Sequence, residues 1–474
     1  RQTLSARPLA FAAAPTDSGY GKAPAGTPAA RWQRLIAEGE RLLAPTLLMA
    51  ASNPVSYLSG DPRVTTLLKS KWDQDTAGGG ACYNYYTPQD RTGVIKDDSP
   101  YNVVCGCVAT AMSQIMYYHR YPADADAEKQ RHYPRWKDNP NDDDRTSKKL
   151  ELDVSGEPYA WDLMEAVPED KQLSKDQRAA IGRLTADAGC AVGMMYAPRG
   201  SGAFDYMIAL AFTEVFRYQS AVYTIMSEFM TVHAASRNAI YANLDAGYPV
   251  VLGISQTTIG ADGNVHRAGG HCICADGYGF DQNQVAYVHL NMGWSGSGDA
   301  WYALPEVSTS SYDYDSIDSV VYNVFPTESA ELLTGRVTDV NGRPVVGATV
   351  TGTKDGTTRS ARTDEHGVYA LRVSKGKWTV DVSVPGGTKR RDGSVDVGTS
   401  KSSTLTAVNV GTYSYLPLTG SVGNRWGNDV ILPDYEAPKL QSVSVVGPSK
   451  LKPGTAATYV CAGHFADGAV PSQR

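Results

Sequence analysis

The chain has 474 residues, 42% hydrophobic and 20% charged, with a formal net charge of −6; this is globular composition, long enough for roughly three domains at ~150 residues each. The mild acidic excess, without any run of Lys and Arg, leaves no electrostatic footprint for nucleic acid. No stretch approaches the ~18 continuous apolar residues needed to span a bilayer.

Residues 1–60 are rich in Ala, Pro and Gly. They carry one amphipathic patch, RWQRLIAEGERLLAPTLL, in which Trp32, Leu35, Ile36, Leu42 and Leu43 fall near helical spacing. The sequence opens at Arg1 without a charged n-region and apolar h-region in signal order, so it reads as a fragment or processed product whose export signal is missing. Residues 61–325 show helical patterns at 107–119, 175–190 and 233–246. Strand-like runs follow, YPVVLGIS, HCICADGYG and VAYVHLNMGW, and helices first with strands later in one span predict an α+β domain. After Pro326 the texture becomes short Val/Thr-rich runs punctuated by Asn341-Gly342, Asp355-Gly356 and His366-Gly367. That spacing predicts a small β-sandwich over 333–435. From Ala437 a further all-β pattern begins and stops after about 35 residues, too short to bury a core alone.

Seven cysteines are too few for a disulfide framework, and the odd count leaves at least one unpaired thiol within a monomer. Cys105 and Cys107 flank Gly106 just before a helical stripe of Val108, Ala111 or Met112, Ile115 and Tyr118 or His119. A thiolate gains from the partial positive charge at a helix N-terminus, and Cys107, in the first turn, is the one placed for nucleophilic work. The competing readings are small packing residues or a metal site, for which HCIC at 271–274 offers further ligands.

A cysteine nucleophile needs a base and a group that orients it. Of eight histidines, His271 stands apart: it follows Gly269-Gly270 and opens a buried strand run. Twenty residues on, a strand ends at Asn291, and Gly293-Trp294 follow. A carboxamide can accept from the imidazolium N–H, and an indole can shield that bond from water. His289 is the weaker competitor.

GCVATAMSQIMYYHRYP, GGHCICADGYG and HLNMGWSG, in that order, together resemble the streptopain family of papain-like cysteine peptidases, bacterial secreted enzymes of the interpain type. The resemblance covers roughly residues 55–325. It implies a papain-like two-subdomain α+β peptidase over 61–326, with Cys107 as nucleophile, His271 as base and an active site between a helical and a sheet half. It further implies that Gln74 supplies an oxyanion donor, that Asn291 and Trp294 orient and shield the base, and that Ser201, Gly202, Ala203 and Gly270 line the substrate site. Proteins or peptides would be the substrates, with no cofactor and no metal. One departure is Met292, where the family usually carries Trp.

The resemblance also makes residues 1–60 a pro-segment remnant, with a linker as the alternative. Residues 333–435 resemble a carboxypeptidase-regulatory-like β-sandwich, and 437–474 the opening of a bacterial Ig-like module. Such all-β modules imply a secreted or cell-surface location and contact with the surface or with glycans. The rival reading is a catalytically inactive surface adhesion protein with a papain-like domain, favoured by the β-modules and by Met292. The peptidase reading rests on Cys107 and His271 meeting as an ion pair.

Overall fold

The computed structural model describes residues 54–89, 96–123, 158–197, 200–229, 232, 234–259, 265–384, 401–410, 422–432, 435, 440–446 and 460–465. The expected pro-segment and its amphipathic patch, up to residue 53, lie outside the described residues. The chain divides into two compact units, Arg1–Glu331 with Tyr413–Asn424, and Leu332–Thr412 with Arg425–Arg474.

In the first unit helix α1, Cys107–His119, is buried all round from Cys107 to Met116. A helix buried on every side lies in the middle of a core, and its polar members Thr110, Ser113 and Gln114 are buried with it. Gly106 enters it at φ 94°, and Arg120 ends it in the left-handed region, its N–H returning to the Met116 and Tyr117 carbonyls. Helix α2, Lys175–Ala191, starts on a reciprocal capping box between Ser174 and Gln177. A Cβ at Gly182 would stand 2.2 Å from the Tyr85 Cβ, so α2 lies directly against the 82–85 segment. The short helix α3, Tyr206–Leu210, and α4, Ala234–Asp245, complete the helical side.

The sheet is built on one long strand. Strands β1 (Gly60–Val64), β2 (Ser220–Phe229), β3 (Val250–Ile259), β4 (Val265–Asp281), β5 (Ala286–Asn291) and β6 (Ala300–Tyr302) precede a small hairpin, β7 (Val307–Ser308) with β8 (Asp313–Tyr314), and β9 (Ser316–Phe325). The order is β2-β9-β3-β4-β5-β6, with β1 added on β4. Its registers place Ile254 opposite His271 and Cys274 opposite Asn291, so His271 sits mid-sheet. Alternation turns Cys272 and Cys274 into the core shared with α1, where the Cys274 thiol reaches the Ala111 carbonyl at 3.4 Å. This contact level fixes the height of α1 over β4.

The elements of the second unit among the described residues are all β. Strands β10 (Glu331–Thr338), β13 (Val368–Val373) and β16 (Val430–Ile431) form one sheet; β11 (Thr349–Lys354), β12 (Thr357–Arg362), β14 (Gly376–Val384) and β15 (Lys401–Val410) form the other. Leu333, Val337, Val350, Leu371, Trp378 and Val380 belong to its core. Asp339 accepts the Asn341 and Arg343 N–H groups, and Asp364 those of His366 and Val368, with Gly342 and Gly367 in the left-handed region. Strands β17 (Leu440–Val446) and β18 (Val460–Phe465) pair antiparallel. No helix among the described residues is long and apolar enough to cross a membrane.

Candidate active site

Cys107 is the first residue of α1 and is 1% exposed. Its sulfur takes hydrogen bonds from the backbone N–H groups of Cys272, Val108 and Cys107 itself; burial outweighs them and pushes the thiol up to about 11. The Cys272 amide is the next one along β4 from His271. The sulfur is therefore docked on the strand that carries the histidine, immediately beside it in sequence.

His271 is 4% exposed. Its Nε2 lies 2.8 Å from the Met292 carbonyl oxygen. A carbonyl only accepts, so Nε2 carries the proton and, in the neutral ring, Nδ1 keeps the lone pair. Burial lowers His271 to about 4, with the Met292 carbonyl acting in the opposite direction. Burial thus works against charge on both the thiol and the imidazole, in the direction opposite to the expected ion pair.

Asn291 also departs from expectation. Its Oδ1 accepts from Gln114 Nε2 at 2.9 Å and from the Gly293 N–H at 3.1 Å, and its Nδ2 donates to the Ser70 carbonyl at 2.7 Å. The carboxamide curls back on the following peptide, and the Met292 carbonyl takes the place on the imidazole that the sequence assigned to Asn291. Trp294 stands where the sequence placed an indole, stacked on His271 with ring centroids 4.6 Å apart. Met292, fully buried, contributes through its backbone.

Gln74 is 8% exposed, and its carbonyl accepts the Cys105 N–H at 2.8 Å. Beside it, Asp73 receives the Gln74 N–H at 2.8 Å, and the Asp73 carbonyl receives the Thr110 hydroxyl at 3.0 Å. The segment is laced to the start of α1. Ser201, Gly202 and Ala203 lie on a loop tied to Met195 by reciprocal Met195–Gly202 backbone bonds. A Cβ on Gly106 would stand 2.8 Å from both the Ser201 carbonyl oxygen and the Met194 sulfur, so this loop abuts the residue before Cys107. Gly270 pairs with Ser255 on β3. Cys105 is fully buried, 3.3 Å from the Thr110 hydroxyl.

Several groups carried no motif. Asp205 acts electrostatically on Cys107; burial raises its carboxyl, while Ser319, the Tyr206 N–H and Tyr223 bind it. Room for it exists because residue 253 lacks a Cβ, which would stand 2.7 Å from Asp205 Oδ2. Tyr314 lies over His271 at 6.1 Å between centroids, and Tyr312 lies near both Trp294 and Tyr314. Asp299 Oδ1 accepts the Met292 N–H at 2.8 Å. The dense glycines of GWSGSGD were the one sequence signal for that loop, where Gly293, Ser295, Gly296 and Gly298 all take positive φ. His289, the weaker competitor, is engaged with Asp276 at 2.6 Å. Among the described residues no group of His, Cys, Asp and Glu is arranged to hold a metal.

Residues 72–302 match the Peptidase C10 family, and residues 333–410 the carboxypeptidase regulatory-like domain. Streptopain of Streptococcus pyogenes serotype M28 is 30% identical over 257 residues, which are 52% of this chain and 58% of that protein. The thiol protease/hemagglutinin PrtT of Porphyromonas gingivalis is 29% identical over 192 residues, 40% of this chain and 19% of that protein. The chain thus spans 58% of the length of the streptopain relatives. Active wild-type interpain A, a cysteine protease of Prevotella intermedia, aligns over 55% of this chain and 94% of its own at 22% identity, with a TM-score of 0.43.

Proposed function

We propose, from the match of residues 72–302 to the Peptidase C10 family, that the chain is a cysteine endopeptidase. The observation that carries this reading is the docking of the Cys107 sulfur on the Cys272 N–H, next to a histidine whose Nε2 is engaged by a carbonyl. His271 Nδ1 takes the thiol proton as the sulfur attacks the peptide carbonyl. The Cys107 N–H and the Gln74 side chain receive the oxyanion of the tetrahedral intermediate. Collapse breaks the C–N bond, His271 returns the proton to the departing amine, and a thioester remains on Cys107. Water, deprotonated by His271, then hydrolyses the thioester and restores the thiol.

Burial that disfavours charge on the resting pair suits this sequence. Proton transfer generates charge only as the carbonyl is attacked, where backbone donors and the Met292 carbonyl already wait. Ser201, Gly202, Ala203 and Gly270 line the acyl side in this reading. Proteins or peptides are the substrates, and the activity is exported, either released or held at the cell surface by the C-terminal β-modules, with residues 1–60 acting as a pro-segment.

Casein hydrolysis by the full chain and by a chain starting at Pro54 tests the reading. Activity in at least one, abolished by Cys107→Ala with the melting temperature unchanged, is the expected result. Hydrolysis that survives Cys107→Ala refutes it.

A further inference from the structure

The peptide unit between Met292 and Gly293 is held at both ends. Its carbonyl faces His271 Nε2 at 2.8 Å, and its N–H is bound by Asn291 Oδ1 at 3.1 Å. In a trans peptide these two groups point in opposite directions, so fixing the N–H aims the carbonyl. Gly293 has φ 68°, a conformation in which glycine can turn the preceding peptide over at little steric cost. A turned peptide would offer His271 a donor in place of an acceptor. The neutral ring would then move its proton to Nδ1, the nitrogen that must receive the thiol proton.

What keeps the Asn291 oxygen, rather than its NH₂, on the Gly293 N–H is a second carboxamide. Gln114 is fully buried on α1, about two turns beyond Cys107. Its Nε2 donates to the same Asn291 Oδ1 at 2.9 Å. Its own orientation is fixed because its Oε1 receives the Ser70 hydroxyl at 2.8 Å and the Trp72 N–H at 3.4 Å. Asn291 Nδ2 closes the circuit on the Ser70 carbonyl at 2.7 Å. Each donor in the chain has one acceptor, and reversing any amide sets two like groups against each other.

We propose that Gln114 is a positioning residue of the catalytic base, setting the His271 tautomer through Asn291 Oδ1 and the Met292–Gly293 peptide. The nucleophile's helix thereby carries the group that orients the base from the opposite strand. The inference rests on the peptidase reading, yet its main readout, the protonation of His271, does not require turnover.

The test uses the full chain with ¹⁵N-labelled histidine, the His271 signals assigned by their loss in His271→Ala. Wild type is expected to carry the proton on Nε2. Gln114→Met, which removes both polar ends at similar volume, is expected to move a substantial fraction of that proton to Nδ1 and to lower kcat about 10- to 100-fold with KM within about twofold, equally at all pH values. Gln114→Glu separates positioning from packing. Its protonated carboxyl donates to Asn291 as the amide does, so Nε2 protonation and kcat relative to wild type should recover at low pH and fall as the carboxyl ionises. Ser70, Trp72 and Asn291 do not titrate; Asp299, which accepts the Met292 N–H and is pushed up to about 6, does, but wild type shares it, so a pH dependence that survives in the ratio to wild type belongs to the introduced group.

If Gln114→Met does not fold, as judged by its melting curve, Ser70→Ala decides on the same readouts, with an expected kcat loss of about 3- to 10-fold. Retention of Nε2 protonation in the folded variants, or a Gln114→Glu profile parallel to wild type, overturns the proposal. Wild type without peptidase activity but with the expected tautomer shifts would sink the functional reading and leave this one standing.

Discussion

The imidazole of His271 lies flat against the indole of Trp294, ring centroids 4.6 Å apart and planes inclined by 18°. An aromatic face favours a cation, and the histidine of this site must become an imidazolium once the thiol has transferred its proton. The indole therefore stabilises the charged form that burial disfavours, without solvating it. A desolvated contact of this kind contributes about 1–2 kcal/mol. Trp294→Ala should lower kcat on a fluorogenic peptide about 5- to 30-fold, whereas Trp294→Phe, which keeps an aromatic face, should retain most of it. Equal losses in the two variants would show that volume, and not the ring face, matters.

Asp299 makes a pH-dependent contribution of opposite sign to the usual carboxylate. Burial pushes it up to about 6; the Met292 N–H, His289 and Lys71 act to lower it, and Asp276 to raise it. The unfolded value is about 3.9, so the folded state prefers the protonated acid. Its stabilising contribution is complete below about pH 4 and is lost as the pH rises through about 6, amounting to about 3 kcal/mol at most. Asp299→Asn keeps an oxygen for the Met292 N–H and cannot ionise. Urea midpoints should show the variant about 1–3 kcal/mol more stable than wild type at pH 7.5, with most of that gain gone at pH 4.5. A gain of the same size at both pH values would contradict this assignment.

The two cysteines of CGC are not interchangeable. Cys105 is buried against the Thr110 hydroxyl and is not bridged to another sulfur, while Cys107 meets the β4 amide beside His271. Cys105→Ala should leave kcat within about threefold and cost about 1 kcal/mol of stability, the scale of a small buried deletion. Complete loss of hydrolysis in a folded Cys105→Ala would place the nucleophile wrongly.

Much of this was legible in the sequence because the signals were local. CVATAMSQIMYYH has helical periodicity and a glycine entry, which put Cys107 in a first turn, and the run after Gly269-Gly270 has the length and apolarity of a buried strand. Trp294 follows from its nearness to the strand end. The role of Asn291 was not legible. Its chemistry suits either an imidazole or a backbone N–H, and the choice depends on left-handed Gly293 and Ser295 and on Gln114 from another element. The burial that works against an ion pair was not legible either, since residue types give pKa values in water and only the packed site shows the desolvation that pushes the thiol up and the imidazole down. Asp205, Tyr312 and Tyr314 arrive from loops distant in sequence, where an isolated Asp or Tyr carries no pattern.

The central claim is that His271 Nδ1 serves as the base for the Cys107 thiol, and alkylation tests it without any assumption about substrate. The full chain, with wild-type His271 or His271→Ala, is treated with iodoacetamide between pH 5 and 9, and incorporation at residue 107 is followed by peptide mass. Near pH 7 the wild-type rate should exceed that of His271→Ala at least ~10-fold, the lower end of what a positioned base supplies. The ratio of the two rates should narrow toward pH 9, on the way to the buried thiol's own ionisation at about 11. Equal rates throughout, in two proteins of equal melting temperature, would contradict the account.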